Sequence, residues 1–159
     1  MCWLCDPKEY PFLPDTEVLR LIDDDENCYA IFPTDYLLRH HIMIVHKEHR
    51  DNFIYCTSSE IAQMGKMMSK WCRIFQLMKY DTVYTGCFSD SGHVHFNLYP
   101  FHFDNEKIYK GSAIQWLAAK EHLAGENRYD TLQGELKEKR IKEIEGIVKE
   151  LLGYKNHIS

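Results

Sequence analysis

The segment Gly92-His93-Val94-His95-Phe96-Asn97-Leu98-Tyr99-Pro100 leaves little choice of local structure. β-branched and aromatic residues dominate it, a glycine opens it and a proline closes it, which predicts a β-strand. Successive strand side chains point to opposite faces. His93, His95 and Asn97 therefore form one row, and Val94, Phe96 and Leu98 the other. The apolar row suits a core. The polar row holds two imidazoles, each able to serve near neutral pH as nucleophile, acid, base or metal ligand. Chemistry is expected on this strand.

A sheet is predicted around it. Asp81 to Phe88 reads as a strand that leads through Ser89-Asp90-Ser91-Gly92 into the histidine strand as an antiparallel hairpin. Val18–Ile22, Cys28–Phe32 and His41–His46 are further strand candidates, with the acidic run Asp23 to Asn27 as a turn. Between Ser59 and Met78, the residues Ile61, Met64, Met67, Met68, Trp71, Cys72, Phe75 and Met78 recur at helical spacing and read as core. Ser58 or Ser59 with Glu60 makes a helix start. The segment Ser112–Ala124 reads as helical. A last helix, Glu135–Leu152, places Leu136, Ile141, Ile144, Ile147, Val148 and Leu151 on one face. The expectation is an α+β fold: an antiparallel sheet of about five strands, one long helix packed on it, and a C-terminal helical extension.

The 159 residues suffice for one substantial core. A formal net charge of −5 argues against a large footprint for duplex nucleic acid. The N-terminus lacks the pattern of a signal peptide, and no run approaches the roughly 20 apolar residues of a membrane helix. A cytoplasmic location without membrane attachment is expected. Six cysteines there favour metal ligation over disulfides. Cys2-Trp3-Leu4-Cys5 can grip one zinc ion and needs two more ligands, which have to be histidines because no second such pair exists. A redox pair and two ordinary cysteines are the competing readings. Six of the nine histidines fall in two short segments: His40, His41, His46 and His49, then His93 and His95. On the first of these strands His41, Met43 and Val45 share one face, and Ile42 and Ile44 the other. Ser89, Asp90 and Ser91 are hydrogen-bonding groups suited to phosphate oxygens.

These motifs together resemble the histidine triad superfamily of nucleotide hydrolases and transferases. The resemblance rests on the Cys-x-x-Cys start, the strand reading His41-Ile42-Met43-Ile44-Val45-His46-Lys47-Glu48-His49, the long helix, and the His-x-His strand ending in proline. It spans about residues 1–100. The superfamily signature alternates three histidines with apolar residues, and here Asn97 stands at the third histidine. The resemblance implies that His95 is the nucleophile, attacking the α-phosphorus of a nucleotide conjugate, a dinucleoside polyphosphate or a nucleoside phosphoramidate, to form a nucleotidyl-histidine intermediate. His93 matches the first histidine and borders the substrate, and His41 matches the histidine of the neighbouring strand. Asn97 is expected to orient the backbone or a phosphate oxygen. By the same resemblance Cys2, Cys5, His49 and His93 form a structural zinc site. A catalytic domain over 1–105, a helical extension over 106–159 and a homodimer are also implied.

The chain departs from the family pattern at several points. His40-His41 replaces Gly-His, Pro33 stands where many members carry an acidic ribose-binding residue, and Ser89-Asp90-Ser91-Gly92 replaces a Gly-Gln-Ser run. Asn97 and Pro33 motivate an alternative: a zinc-stabilised nucleotide-binding or interaction module without catalysis. A third reading makes the histidine set a catalytic metal centre.

Overall fold

The computed structural model describes residues 4–5, 11–88, 92–103 and 128–158. Five strands form one antiparallel sheet: β1 (Leu21–Asp24), β2 (Cys28–Ile31), β3 (Ile42–His46), β4 (Thr82–Phe88) and β5 (His95–Phe101). Their spatial order is β1-β2-β3-β5-β4. The long helix α1 (Ser58–Leu77) connects β3 to β4, so β5 returns beside β3. Helix α2 (Gly134–Asn156) follows near the C-terminus. The expected α+β architecture is present, with β4 and β5 paired as the hairpin. The expected helix at Ser112–Ala124 lies outside the described residues.

The central strands are buried on both faces, and alternation decides which core each side chain enters. Cys28 and Ala30 of β2, Ile42 and Ile44 of β3, and Leu98 of β5 meet the helices. There they pack with Met64, Met67, Trp71, Ile74 and Phe75 of α1, and with Ile144, Ile147, Val148 and Leu151 of α2. Tyr29, Ile31, Met43 and Val45 point the other way and bury Leu4 of the N-terminal segment. The Tyr29 hydroxyl donates a hydrogen bond to the Leu4 carbonyl, pinning that segment to the sheet.

Several boundaries differ from the sequence reading, each for a physical reason. The first strand runs Leu21–Asp24 instead of Val18–Ile22, so the turn shrinks to residues 25–27. Asp23 stays in the strand because its buried carboxylate meets Lys70 of α1 at 2.6 Å and Lys155 of α2 at 3.0 Å. Helix α1 is capped by Thr57, not by Ser58 or Ser59: Thr57 Oγ1 accepts from the Glu60 amide at 3.2 Å, and Glu60 Oε2 accepts from the Thr57 amide at 2.7 Å. Only Thr57 stands three residues before Glu60, the spacing a reciprocal cap requires. Within α1, Ile61 and Cys72 are exposed and Ile74 is buried in their place. Leu136 is exposed because it lies at the edge of the α2 stripe on a 3.6-residue period.

The histidine strand begins at His95, two residues later than expected. The Val94 amide donates instead to the Arg50 carbonyl at 2.8 Å, in the loop beyond β3. His93 is thereby drawn out of the ladder toward that loop.

Helix α2 is integral to the helix-side core. Ile147→Ala should cost about 2–5 kcal/mol, the usual range for truncating a fully buried aliphatic residue. Urea unfolding followed by circular dichroism should show the loss within a single cooperative transition.

Candidate active site and metal centre

The β3–β5 register builds the site. Val45 pairs with His95 and Met43 with Asn97. Directly paired residues of an antiparallel ladder share a face, so His95 and Asn97 stand on the sheet face opposite the helices. His41, one residue before β3, joins the same face. All three side chains are buried.

Hydrogen bonds assign the protons. His95 Nδ1–H donates to the His93 carbonyl at 3.0 Å, which leaves the lone pair on Nε2. His41 Nδ1 accepts from the Leu37 amide at 3.3 Å, so its proton is on Nε2 and is donated to Asn97 Oδ1 at 2.7 Å. Tyr99, next in the same row of β5, lies against the His41 ring with centroids 4.4 Å apart. Burial pulls the His41 pKa down to about 4, against the opposing effect of its bond to Asn97.

A second group lies at the start of the histidine strand. Cys5 Sγ is 3.1 Å from His49 Nδ1 and 3.5 Å from His93 Nδ1. Donor atoms around a tetrahedral zinc ion stand about 3.5 Å apart at ordinary bond lengths, so this thiol-and-imidazole set fits the ion in chemistry and spacing. The far nitrogens are also suitably engaged. His93 Nε2–H donates to the His46 carbonyl at 2.9 Å, and His49 Nε2–H to Asp51 Oδ1 at 2.6 Å. Such outer bonds turn the Nδ1 lone pairs inward. His93 is fully buried, and this burial lowers its pKa, keeping the ring neutral as ligation demands. Among the described residues this potential metal group contains neither His41 nor His95, which separates it from the reading of one catalytic metal centre.

Of the residues singled out from the sequence, His41, His95 and Asn97 gather at one place, and Cys5, His49 and His93 at another. Cys2, Ser89, Asp90 and Ser91 lie outside the described residues. Asp35, the acidic residue near Pro33, accepts the Tyr129 amide at 2.7 Å and so anchors the start of the C-terminal segment. The sequence reading missed four supporting groups. Tyr99 was accessible to it, because it continues the two-residue period of His95 and Asn97. Asp51, the Leu37 amide and Arg50 carried no pattern. Arg50 bonds Glu60 at 2.5 Å and the His49 carbonyl at 2.8 Å, tying the loop after β3 to the start of α1.

His41 makes acid stability testable. Its folded-state pKa of about 4 lies below the ordinary 6.5, so between those values the unfolded chain binds a proton that the folded chain does not. The contribution is complete above pH 6.5 and is lost as pH falls toward 4. Unfolding free energies measured across that window should decline on acidification, and His41→Gln should show a shallower decline.

No family model and no curated protein matches the sequence. Solved structures do resemble the fold. A hypothetical histidine triad nucleotide-binding protein from Sulfolobus tokodaii strain7 aligns at a TM-score of 0.55 and 16% identity, covering 94% of this chain and 93% of that one. A Streptococcus mutans UA159 protein aligns at 0.54 and 17%, covering 80% and 85%. A zinc-bound histidine triad family protein from Mycobacterium smegmatis aligns at 0.50 and 14%, covering 82% and 84%. This chain has the fold of the histidine triad proteins.

Proposed function

We propose that this chain is a histidine triad nucleotide hydrolase or nucleotidyl transferase that cleaves at the α-phosphate of a nucleotide conjugate through a nucleotidyl-His95 intermediate. The observation that carries the proposal is the tautomer of His95. Its Nδ1 proton is held by the His93 carbonyl, so Nε2 carries the lone pair that attacks phosphorus. The hydrogen bond also fixes the ring and stabilises the positive charge that it gains on attack. His41 and Asn97 stand on the same sheet face as a hydrogen-bonded pair. A nucleotide as ligand is supported by the Sulfolobus protein, described as nucleotide-binding. Ser89, Asp90 and Ser91 just before the strand, with His93, border the phosphates in this reading.

Cys5, His49 and His93, with Cys2, hold a structural zinc ion. When bound, it cross-links the N-terminal segment, the loop after β3 and the start of the catalytic strand. The zinc-bound Mycobacterium protein of like fold supports this assignment. Residues 1–105 form the catalytic part and 106–159 an extension, in a homodimer. Elemental analysis of the purified protein should find one zinc per chain, and both Cys5→Ser and His49→Ala should lower that content. Wild-type protein without zinc would refute the assignment.

Asn97 favours one rival, a nucleotide-binding module without turnover, because an amide cannot pass a proton. Trapping separates the two. Incubation with labelled nucleotide conjugates and rapid quenching should yield an acid-labile adduct on His95. His95→Ala should lose the adduct and at least about 10³-fold in turnover. Binding with neither adduct nor turnover would establish the module.

A further inference from the structure

The row around His95 is poor in protons that it can release. On one side stands His93, whose Nε2–H is committed to the His46 carbonyl and whose Nδ1 faces Cys5. On the other stands Asn97, an amide without an ionisable proton. Its partner His41 is locked by both nitrogens: Nε2–H serves Asn97 Oδ1, and Nδ1 accepts the Leu37 amide. Charging His41 would set an Nδ1–H against the Leu37 N–H. Tyr99 covers the ring, and burial opposes the cation as well. Among the described residues, no histidine beside the nucleophile is placed to hand a proton to a departing group at neutral pH.

We propose that the locked His41–Asn97 pair restricts this enzyme to leaving groups that depart as anions, such as the phosphate or nucleotide of a phosphoanhydride, and disfavours those that depart as amines. The proposal rests on the nucleotidyl-His95 reading. In the first step the Nε2 lone pair forms an N–P bond as the P–O bond to the leaving phosphate breaks. The electron pair leaves on that phosphate oxygen, and no proton has to move when the leaving phosphate is esterified to a nucleoside or already carries one proton. In the second step a water oxygen bonds to phosphorus, its proton passes to solvent, and the P–N pair returns to Nε2. An amine is different, because its nitrogen must gain a proton as the P–N bond of the substrate breaks. Phosphate monoanions ionise near pH 6, whereas alkylammonium groups hold their proton to about 10, so only the phosphate is a stable anionic product.

Fixing Asn97 also gives it a task. With Oδ1 held by His41, the amide N–H groups are the part of Asn97 left to face a phosphate oxygen. That is hydrogen-bond donation without proton transfer, which stabilises charge on the phosphoryl group and gives nothing to the leaving atom.

The test is a leaving-group series on one nucleotide, adenosine 5′-monophosphate. It is joined in turn to phenols of graded acidity, to a phosphate and to an alkylamine, and kcat/KM is measured for each. In wild type the value should fall at least about threefold per unit rise in phenol pKa. The amine conjugate should react at least about 100-fold more slowly than the anhydride. Asn97→His, which restores a titratable group, should narrow the amine-to-anhydride ratio at least about tenfold. A flat phenol series, or amine and anhydride turned over within about threefold of each other, overturns the proposal; if the variant does not fold, the wild-type series decides alone. His95→Ala distinguishes the two levels. Retained turnover in that variant refutes the nucleophile, whereas an inactive variant beside a flat wild-type series refutes only the leaving-group restriction. No turnover of any conjugate by wild type refutes both.

Discussion

Pairing of β3 with β5 is the constraint on which the molecule depends. It joins two strands far apart in sequence, and its register does two things at once. Ile44 and Phe96, with Ile42 and Leu98, are directed to the helices, while Val45 and His95, with Met43 and Asn97, are directed to the opposite face. A slip of one residue would turn the histidines into the aliphatic core and the apolar row out of it. The hydrophobic requirement therefore enforces the chemical geometry. Burial of Ile42, Ile44 and Leu98 against Trp71 and Met64 is strong and non-directional, and the site inherits its position from it.

The second dependence is the N-terminal segment. Leu4 is buried against the sheet face that carries His95, and Tyr29 bonds its carbonyl, so Cys5 is delivered beside His49 and His93. His93 links the two centres. Its ring faces Cys5, and its carbonyl accepts the His95 proton. One residue thus joins the thiol-imidazole cluster to the His95 ring, through its side chain on one side and its backbone on the other. Glu60 and Arg50 extend the support by holding the loop after β3 to the start of α1. On the far side, Asp23 binds Lys70 and Lys155, and Glu150 binds Arg39 and His40. The terminal helix is thus coupled to the strand entrance next to His41.

Much of this was legible because it is written in local periods. The two-residue alternation of β5 and the three- and four-residue steps of α1 are direct consequences of backbone geometry, so the hairpin, the long helix and the core faces follow from them. The misses share a cause. Leu21–Asp24 replaces Val18–Ile22 because Asp23 is held by lysines from two distant helices, and the histidine strand starts late because Val94 bonds Arg50. Both are long-range bonds with no local signature. The pairing of His41 with Asn97 is likewise a contact between residues 56 apart in the chain.

By itself the sequence determined the alternation that segregates imidazoles from aliphatics, the helical stripes, and the set of residue types able to bind metal and attack phosphorus. Those properties belong to single segments, and their physical basis is the fixed pitch of strand and helix. Only the tertiary structure decided which nitrogen of His41, His49, His93 and His95 carries the proton, that Asn97 presents its oxygen to His41, and that His93 serves Cys5 through its ring and His95 through its carbonyl. Tautomers and amide orientations are settled by the partner each polar atom meets after burial, and those partners lie up to 88 residues away along the chain.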